Sequence, residues 1–202
     1  MFYTPDSRDR GRLPHDPFKA IVAPRPIGWI GTRSATGADN LAPYSFFNGV
    51  NHAPPMVMFS STGMKDSATN ALDTRVFTWS LATEALAEQM NASCAPLPHG
   101  TSEFEAVGIE AAQGRVVDAP FVAASPAALE CVVVHDARLR DTDGAECDQW
   151  LVVGQVVGVH LDEGHLTSDG RFDTRRARPL MRAGYLDEYL VADTELRMSR
   201  PH

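Results

Sequence analysis

Lysine is almost missing from this chain. Only Lys19 and Lys65 occur among 18 basic residues, and the remainder are arginine. In a chain that writes positive charge as arginine, Lys65 reads as a place where a compact ammonium is wanted, with chance as the alternative. Cysteine is scarce too: Cys94, Cys131 and Cys147 are odd in number and widely spaced. That excludes a disulfide framework. No cysteine pair has finger spacing and no His-Glu-x-x-His run occurs, so no metal is expected. Cys131, inside the apolar run Glu130-Cys-Val-Val-Val-His135, reads as a small core residue. No apolar stretch nears the roughly 18 residues of a membrane-spanning helix. The first twenty residues are polar and proline-rich, without the apolar centre of a signal peptide. A cytoplasmic protein with no membrane attachment is expected. Positive charge is in deficit, 18 basic against 26 acidic residues, for a net charge of -8. Nucleic acid and anionic membrane are therefore poor partners. Small anions stay open as ligands, because a local pocket can oppose the global sign.

The 202 residues, 44% of them hydrophobic, suit one domain. Residues 1–20 read as an N-terminal arm with little regular structure, and 21–202 as a single domain. Residues 27–32 form a strand candidate, followed by a turn marked by Gly37, Asp39 and Asn40. A second strand covers 41–47, giving a hairpin-like unit. Asn48-Gly49 and Pro54-Pro55 punctuate a loop before a third strand over 56–60. Residues 76–83 alternate strictly, which predicts a half-buried strand with Phe77, Trp79 and Leu81 inward. Residues 127–140 alternate again, placing Glu130, Asp136, Arg138 and Arg140 on the solvent side. The segment from Asp136 to Asp148 reads as a solvated hairpin. Residues 149–162 are β-branched and carry Gly154 and Gly158, a sign of tight bends or close backbone approach. Helices are short: about 68–72 after a cap at Asp66 or Ser67, then 84–93 and 102–107. Strands outnumber helices and do not alternate with long ones. A mainly β fold, a closed antiparallel barrel with peripheral helices, fits this order.

Two stretches carry chemistry. Phe-Ser-Ser-Thr-Gly-Met-Lys-Asp-Ser-Ala-Thr-Asn, residues 59–70, leaves an apolar strand through three hydroxyls and enters a helix behind Lys65. A helix N-terminus offers unpaired N–H groups and partial positive charge. Ser67 and Thr69 add hydroxyls, and Lys65 adds a point charge, a set suited to a monophosphate. The glycine spacing of a P-loop is absent. The same residues also make an ordinary polar turn with a capped helix. Upstream, Asn40, Pro43, Ser45 and Asn48 interleave with Tyr44, Phe46 and Phe47. Backbone groups of such a strand can read the edge of a flat heteroaromatic ring while aromatics cover its face. Alternating aromatics are equally the mark of a core.

Residues 24–70, with the spaced pattern PRPI…G…NLAP-S-F-N…PP…KD…N, resemble the flavin reductase-like family of FMN-binding split-barrel proteins, in particular its flavoredoxin-type branch. Residues 87–110, 125–131 and 178–189 continue the likeness. The resemblance implies a six-stranded antiparallel split β-barrel with short peripheral helices, forming a homodimer with FMN near the subunit interface. It implies that Lys65, Asp66, Ser67 and Asn70 hold the FMN phosphate. Pro43, Tyr44, Ser45, Phe46 and Asn48 would line the isoalloxazine edge. Ser60, Ser61 and Thr62 would flank the ribityl chain, with Thr32 and Arg25 completing the pocket. The implied activity is electron transfer from NADH or NADPH to flavin, or onward to an acceptor or partner oxygenase. A flavin brings its own redox chemistry, so no catalytic side chain is expected.

One departure stands out. Reductases of this family often carry Gly-Asp-His before the glycine of a late strand. Here Cys147-Asp148-Gln149 stands ahead of Gly154, without the histidine associated with nicotinamide. This keeps a second reading open, an FMN-binding electron carrier with no nicotinamide site of its own. A barrel that binds no flavin is a third. His160 reads as a surface or interface histidine. Arg178, Arg182 and Tyr185 fall in a segment that resembles one shaping the cofactor site in relatives, or are surface residues among acidic neighbours.

Overall fold

The structure, a computed structural model, describes residues 1–98 and 100–199. The strands are β1 (Arg25–Pro26), β2 (Gly28–Arg33), β3 (Asp39–Tyr44), β4 (Phe47–Asn51), β5 (Met56–Thr62), β6 (Val76–Ser80), β7 (Ala111–Gln113), β8 (Pro120–Val122), β9 (Ala127–Arg140), β10 (Glu146–Leu161), β11 (Leu180–Arg182) and β12 (Tyr189–Val191). The helices are short: α1 (Phe18–Ile21), α2 (Asp66–Thr74), α3 (Ala87–Ala92), α4 (Glu103–Ala106) and α5 (Thr174–Ala177). Among the described residues, no helix is long and apolar enough to cross a membrane.

Seven strands form one antiparallel sheet in the order β3-β2-β6-β9-β10-β5-β4. Its two ends are consecutive pieces of one bent strand, joined through Ser45-Phe46. The first piece pairs with β2, Tyr44 opposite Gly28, and the second pairs with β5, Phe47 opposite Phe59. One bent strand therefore closes the curl from both sides. Counted so, the barrel has the six strands that the resemblance implies, split at the bend. The fold is an antiparallel split β-barrel. Smaller sheets, β1-β11-β12 and β7-β8, lie outside this one.

Burial explains why the chain closes this way. Ile30, Phe47, Phe59, Phe77, Cys131 and Val152 share one buried cluster. Each fully buried aliphatic or aromatic side chain contributes about 1.5–3 kcal/mol of transfer free energy. Gly154 has no room for a side chain: a Cβ there would lie 2.5 Å from the Phe77 ring. This is the close approach expected of a strand glycine. A second cluster, including Trp29, Leu41, Met90, Phe104 and Val122, packs α3 and α4 on the outside of β2 and β3.

Four expectations change. Asn48-Gly49 is not a loop: both lie in β4, with Gly49 opposite Val57. β6 is buried on both faces. Thr78 and Ser80 are fully buried, Thr78 donating to Gly31 O and Pro120 O, and Ser80 accepting from Val122 N at 3.0 Å. The distant strand β8 covers them. Glu130 is only 1% exposed. It accepts from the backbone N–H of Arg115, Val116 and Val117 at 2.9, 2.7 and 2.7 Å. His160 is partly buried rather than a surface residue, 2.6 Å from Glu130 and packed on Phe121. The hairpin tip is solvated as expected, with Arg138 and Arg140 both paired to Glu146.

Candidate functional site

β5 leaves the core with its side chains alternating. Val57, Phe59 and Ser61 are buried, whereas Ser60 is half-buried and Thr62 exposed. Period two thus puts the Ser60 and Thr62 hydroxyls on one side. Ser61 donates inward to Gly63 O at 2.9 Å. Gly63 turns the chain at φ 72°, a conformation that favours glycine. α2 then begins two residues earlier, and ends two residues later, than the sequence suggests. Its N-cap is Lys65, at φ -82° and ψ 169°, whose side chain makes no capping hydrogen bond. Lysine is a poor cap, since it has no acceptor for the first N–H groups. Those groups and the positive end of the helix dipole are left for something else.

They open on a cleft of about 610 Å³ between the β3–β4 bend, the end of β5 and the residues after α3. Pro43, Tyr44, Ser45 and Phe46 form one wall, Ser60 and Thr62 another, and Lys65, Asp66 and Ser67 the helix end. Three expected residues stand behind the lining: Ser61, Thr32 and Asn70, the last donating to Thr32 Oγ1 at 3.2 Å. Asn48 lies elsewhere, exposed on β4 beside a different cavity shared with Phe47 and Trp79. Arg25 also stands outside the lining, but its Nε donates to Ser45 O at 3.1 Å and so fixes the wall from behind. Arg178 is half-buried and paired with Glu84, the surface alternative. Arg182 and Tyr185 line a neighbouring cavity.

Sequence reasoning missed Lys19, Cys94 and Glu103, which also line the cleft. Both lysines of the chain thus face this one cleft. Among the described residues, neither makes an ion pair. Burial pushes the Glu103 carboxyl up, opposed by the N–H of Leu41, which it accepts at 2.8 Å. Burial also raises the Cys94 thiol.

Tyr44 is 8% exposed, and its hydroxyl has no hydrogen-bond partner among the described residues. Burial raises the phenol pKa, while the Ser67 and Ser61 hydroxyls near it pull the other way without closing a well-formed bond. Ser67 Oγ accepts from Asn40 Nδ2 at 3.0 Å, which leaves its own proton to donate. Gln149, standing where the family histidine would be, bridges the other wall. Its Nε2 donates to Ser60 Oγ at 2.7 Å, and its Oε1 accepts from Thr62 Oγ1 at 2.9 Å. Ser60 therefore keeps a proton to offer, and Thr62 keeps lone pairs.

These features can be set against known proteins. A protein of Deinococcus radiodurans without assigned function is 43% identical over 153 residues, spanning 71% of this chain and 64% of that one, less than two thirds of its length. Component B of nitrilotriacetate monooxygenase from Bacillus cereus superposes with a TM-score of 0.87 at 25% identity, covering 98% of both chains. Flavoredoxin of Desulfovibrio vulgaris superposes with a TM-score of 0.77 at 21% identity, over 87% of this chain and 91% of that one, a likeness of fold. The model of the flavin reductase-like domain matches residues 22–181. With the β5–α2 junction, the bent strand and all of the cleft lining except Lys19 inside that match, the chain belongs to the flavin reductase-like family.

Proposed function

We propose that the cleft binds FMN and that the protein is a flavin reductase-type oxidoreductase, taking electrons from NADH or NADPH. The observation that carries this is the uncapped α2 N-terminus behind Lys65, opening on the same cleft as the unpartnered Tyr44 hydroxyl. The residues present fit the cofactor. Lys65, the first N–H groups of α2 and the Ser67 hydroxyl are donors for a phosphate. Charge-assisted bonds of this kind contribute about 1.5–3 kcal/mol each, enough to oppose the net charge of -8. The backbone of 43–46 suits the edge of a flat ring, and Ser60 and Thr62 offer one donor and one acceptor to a polyol chain. Thr32 and Asn70 support the helix end from behind. FMN, when bound, supplies the redox chemistry. The side chains bind, orient and exclude water.

The experiment is a binding comparison. Lys65→Ala should weaken FMN by about tenfold or more and leave riboflavin, which has no phosphate, nearly unchanged. Equal loss of both ligands would reject the phosphate role.

Gln149 favours a second reading, an FMN-binding electron carrier without its own nicotinamide site. Its amide is already committed to Ser60 and Thr62. Anaerobic mixing separates the two. Bleaching of bound flavin by NADH or NADPH supports the reductase; bleaching by dithionite alone supports the carrier. For the acceptor, the likeness to a monooxygenase component supports a partner oxygenase. A homodimer is supported by the apolar stripe Val157, Val159 and Leu161, all exposed on β10.

A further inference from the structure

Beyond Lys19 the cleft meets a second cavity, of about 920 Å³, and Lys19 lines both. Its walls come from the two ends of the chain: His15, Phe18 and Lys19 from the N-terminal arm, and Arg182, Tyr185 and Leu186 from the segment after β11. The walls are locked together. Gly184 sits so close to Ala20 that a Cβ there would lie 2.5 Å from the Ala20 Cβ.

Arg25 organises the junction. It is 7% exposed and donates to the carbonyls of Lys19 and Val22 on the arm, of Ala183 at 2.8 Å, and of Ser45 at 3.1 Å on the cleft wall. Yet Arg25 stands directly opposite Arg182 in the β1–β11 pairing. Like charges in such a position destabilise a sheet. The Arg182 guanidinium lies 4.5 Å from the Tyr189 ring centroid, and its Nη2 donates to Tyr185 O and Leu186 O at 3.2 and 3.0 Å. Among the described residues, its Nε and Nη1 make no hydrogen bond, and none of Lys19, Arg25 and Arg182 has a carboxylate within ion-pair distance. Lys19 and Arg182 thus line the cavity with no ion pair among the described residues, and Arg25 is buried behind Arg182. Three acids share the cavity without pairing with these cations: Asp16 accepts from Phe18 N at 3.0 Å, Glu188 from Tyr185 N at 3.3 Å, and Asp187 is exposed.

The rest of the wall is flat and apolar. The rings of His15 and Tyr185 meet edge-on at 5.8 Å, and Phe18 and Leu186 are 57% and 91% exposed. Exposed apolar surface rimmed by charge marks a binding surface.

We propose that this cavity binds a planar aromatic carboxylate, with its anionic group between Lys19 and Arg182 and its ring against His15, Phe18 and Tyr185. The site adjoins the flavin cleft at Lys19, so on the FMN reading it is the place of a co-substrate.

The test is a titration of the FMN-loaded full chain with benzoate and with its uncharged counterpart benzamide, followed by flavin absorbance and by calorimetry. Benzoate should bind about tenfold or more tighter than benzamide at low salt, and the difference should shrink as salt rises. Lys19→Gln and Arg182→Gln should each weaken benzoate about tenfold, with benzamide unmoved, and Lys19→Arg should restore it. Lys19 is exposed, so its variant tests the site even if the Arg182 variant fails to fold. Equal binding of the two probes, or a Lys19→Gln protein indifferent to benzoate's charge, overturns the proposal. So does tight, Lys19-dependent binding of NADPH with no binding of benzoate. A protein that takes up no flavin, yet shows the Lys19-dependent preference by calorimetry, supports this site and rejects the FMN reading alone.

Discussion

Glu130 is buried in the barrel wall, and burial alone would raise its carboxyl pKa. Three backbone N–H bonds and the His160 contact outweigh that and hold it at about 2, against an ordinary 4.5. A carboxylate whose folded pKa is depressed contributes stability above its unfolded value. That contribution is lost as pH falls through the folded value. Glu130→Gln puts an amide NH₂ where N–H donors converge, and should destabilise the protein. The gap to wild type in thermal unfolding should be full at pH 7 and narrow as pH falls from 4.5 toward 2. A gap independent of pH would show that the charge is not what these donors hold. Alternation assigned Glu130 to solvent because the loop that buries it lies at 115–117, beyond any local pattern. Gln149 is a second residue-scale case, a positioning residue acting through Ser60 and Thr62. Gln149→Glu turns the bridge into acceptors alone, so both hydroxyls donate to it and neither offers a proton to a ligand. FMN affinity should fall about tenfold, with a shifted spectrum in the flavin that still binds. Gln149→Ala, which leaves both hydroxyls free to turn, should cost less; an equal loss would mean the side chain only packs.

α2 shows function at the expense of local stability. A serine at its N-cap would accept from the first-turn N–H groups, where Lys65 does not. Lys65→Ser should therefore stabilise the ligand-free protein by about 0.5–1 kcal/mol, a rise of a few degrees in melting temperature for a chain of this size. The same variant should bind FMN more weakly than wild type. If stability and affinity fell together, the residue would be holding the helix rather than awaiting an anion. At this scale much was legible. Alternation locates β9 at its true ends, even though its first half is buried on both faces. The misses share a cause. β4 reads as a loop in the sequence because its side chains after Phe47 are exposed and it is irregular between Gly49 and Asn51. β6 was taken for half-buried because β8, more than forty residues later, covers its hydroxyl face. The β5–α2 junction was legible because strand end, hydroxyls, lysine and helix start are contiguous. Lys19 was not, because its place depends on Arg25 gripping the arm's carbonyls.

At the scale of the whole molecule, β9 and β10 leave an apolar strip uncovered. Val157, Val159 and Leu161 are 38%, 60% and 48% exposed, on alternate positions of one strand. Alternation puts Val159 and Leu161 on one face, Val157 stands beside them at the bulge between Val156 and Gly158, and Val134 is a further exposed valine on β9. Scattered apolar residues on a surface need no explanation, but a contiguous strip does. A second copy of the chain is the occupant consistent with the proposed homodimer. Val159→Glu would place a carboxylate in the middle of that strip on both copies, and a buried unpaired charge is strongly unfavourable at an interface. The wild type should elute with light scattering at twice the chain mass, and the variant at the chain mass with its circular dichroism unchanged. If FMN sits near the subunit interface of the proposed homodimer, its affinity should fall with dissociation, although Val159 does not line the cleft. A wild type that is monomeric at micromolar concentration would remove the interface, and a variant that dissociates yet keeps full FMN affinity would place the flavin site within one subunit.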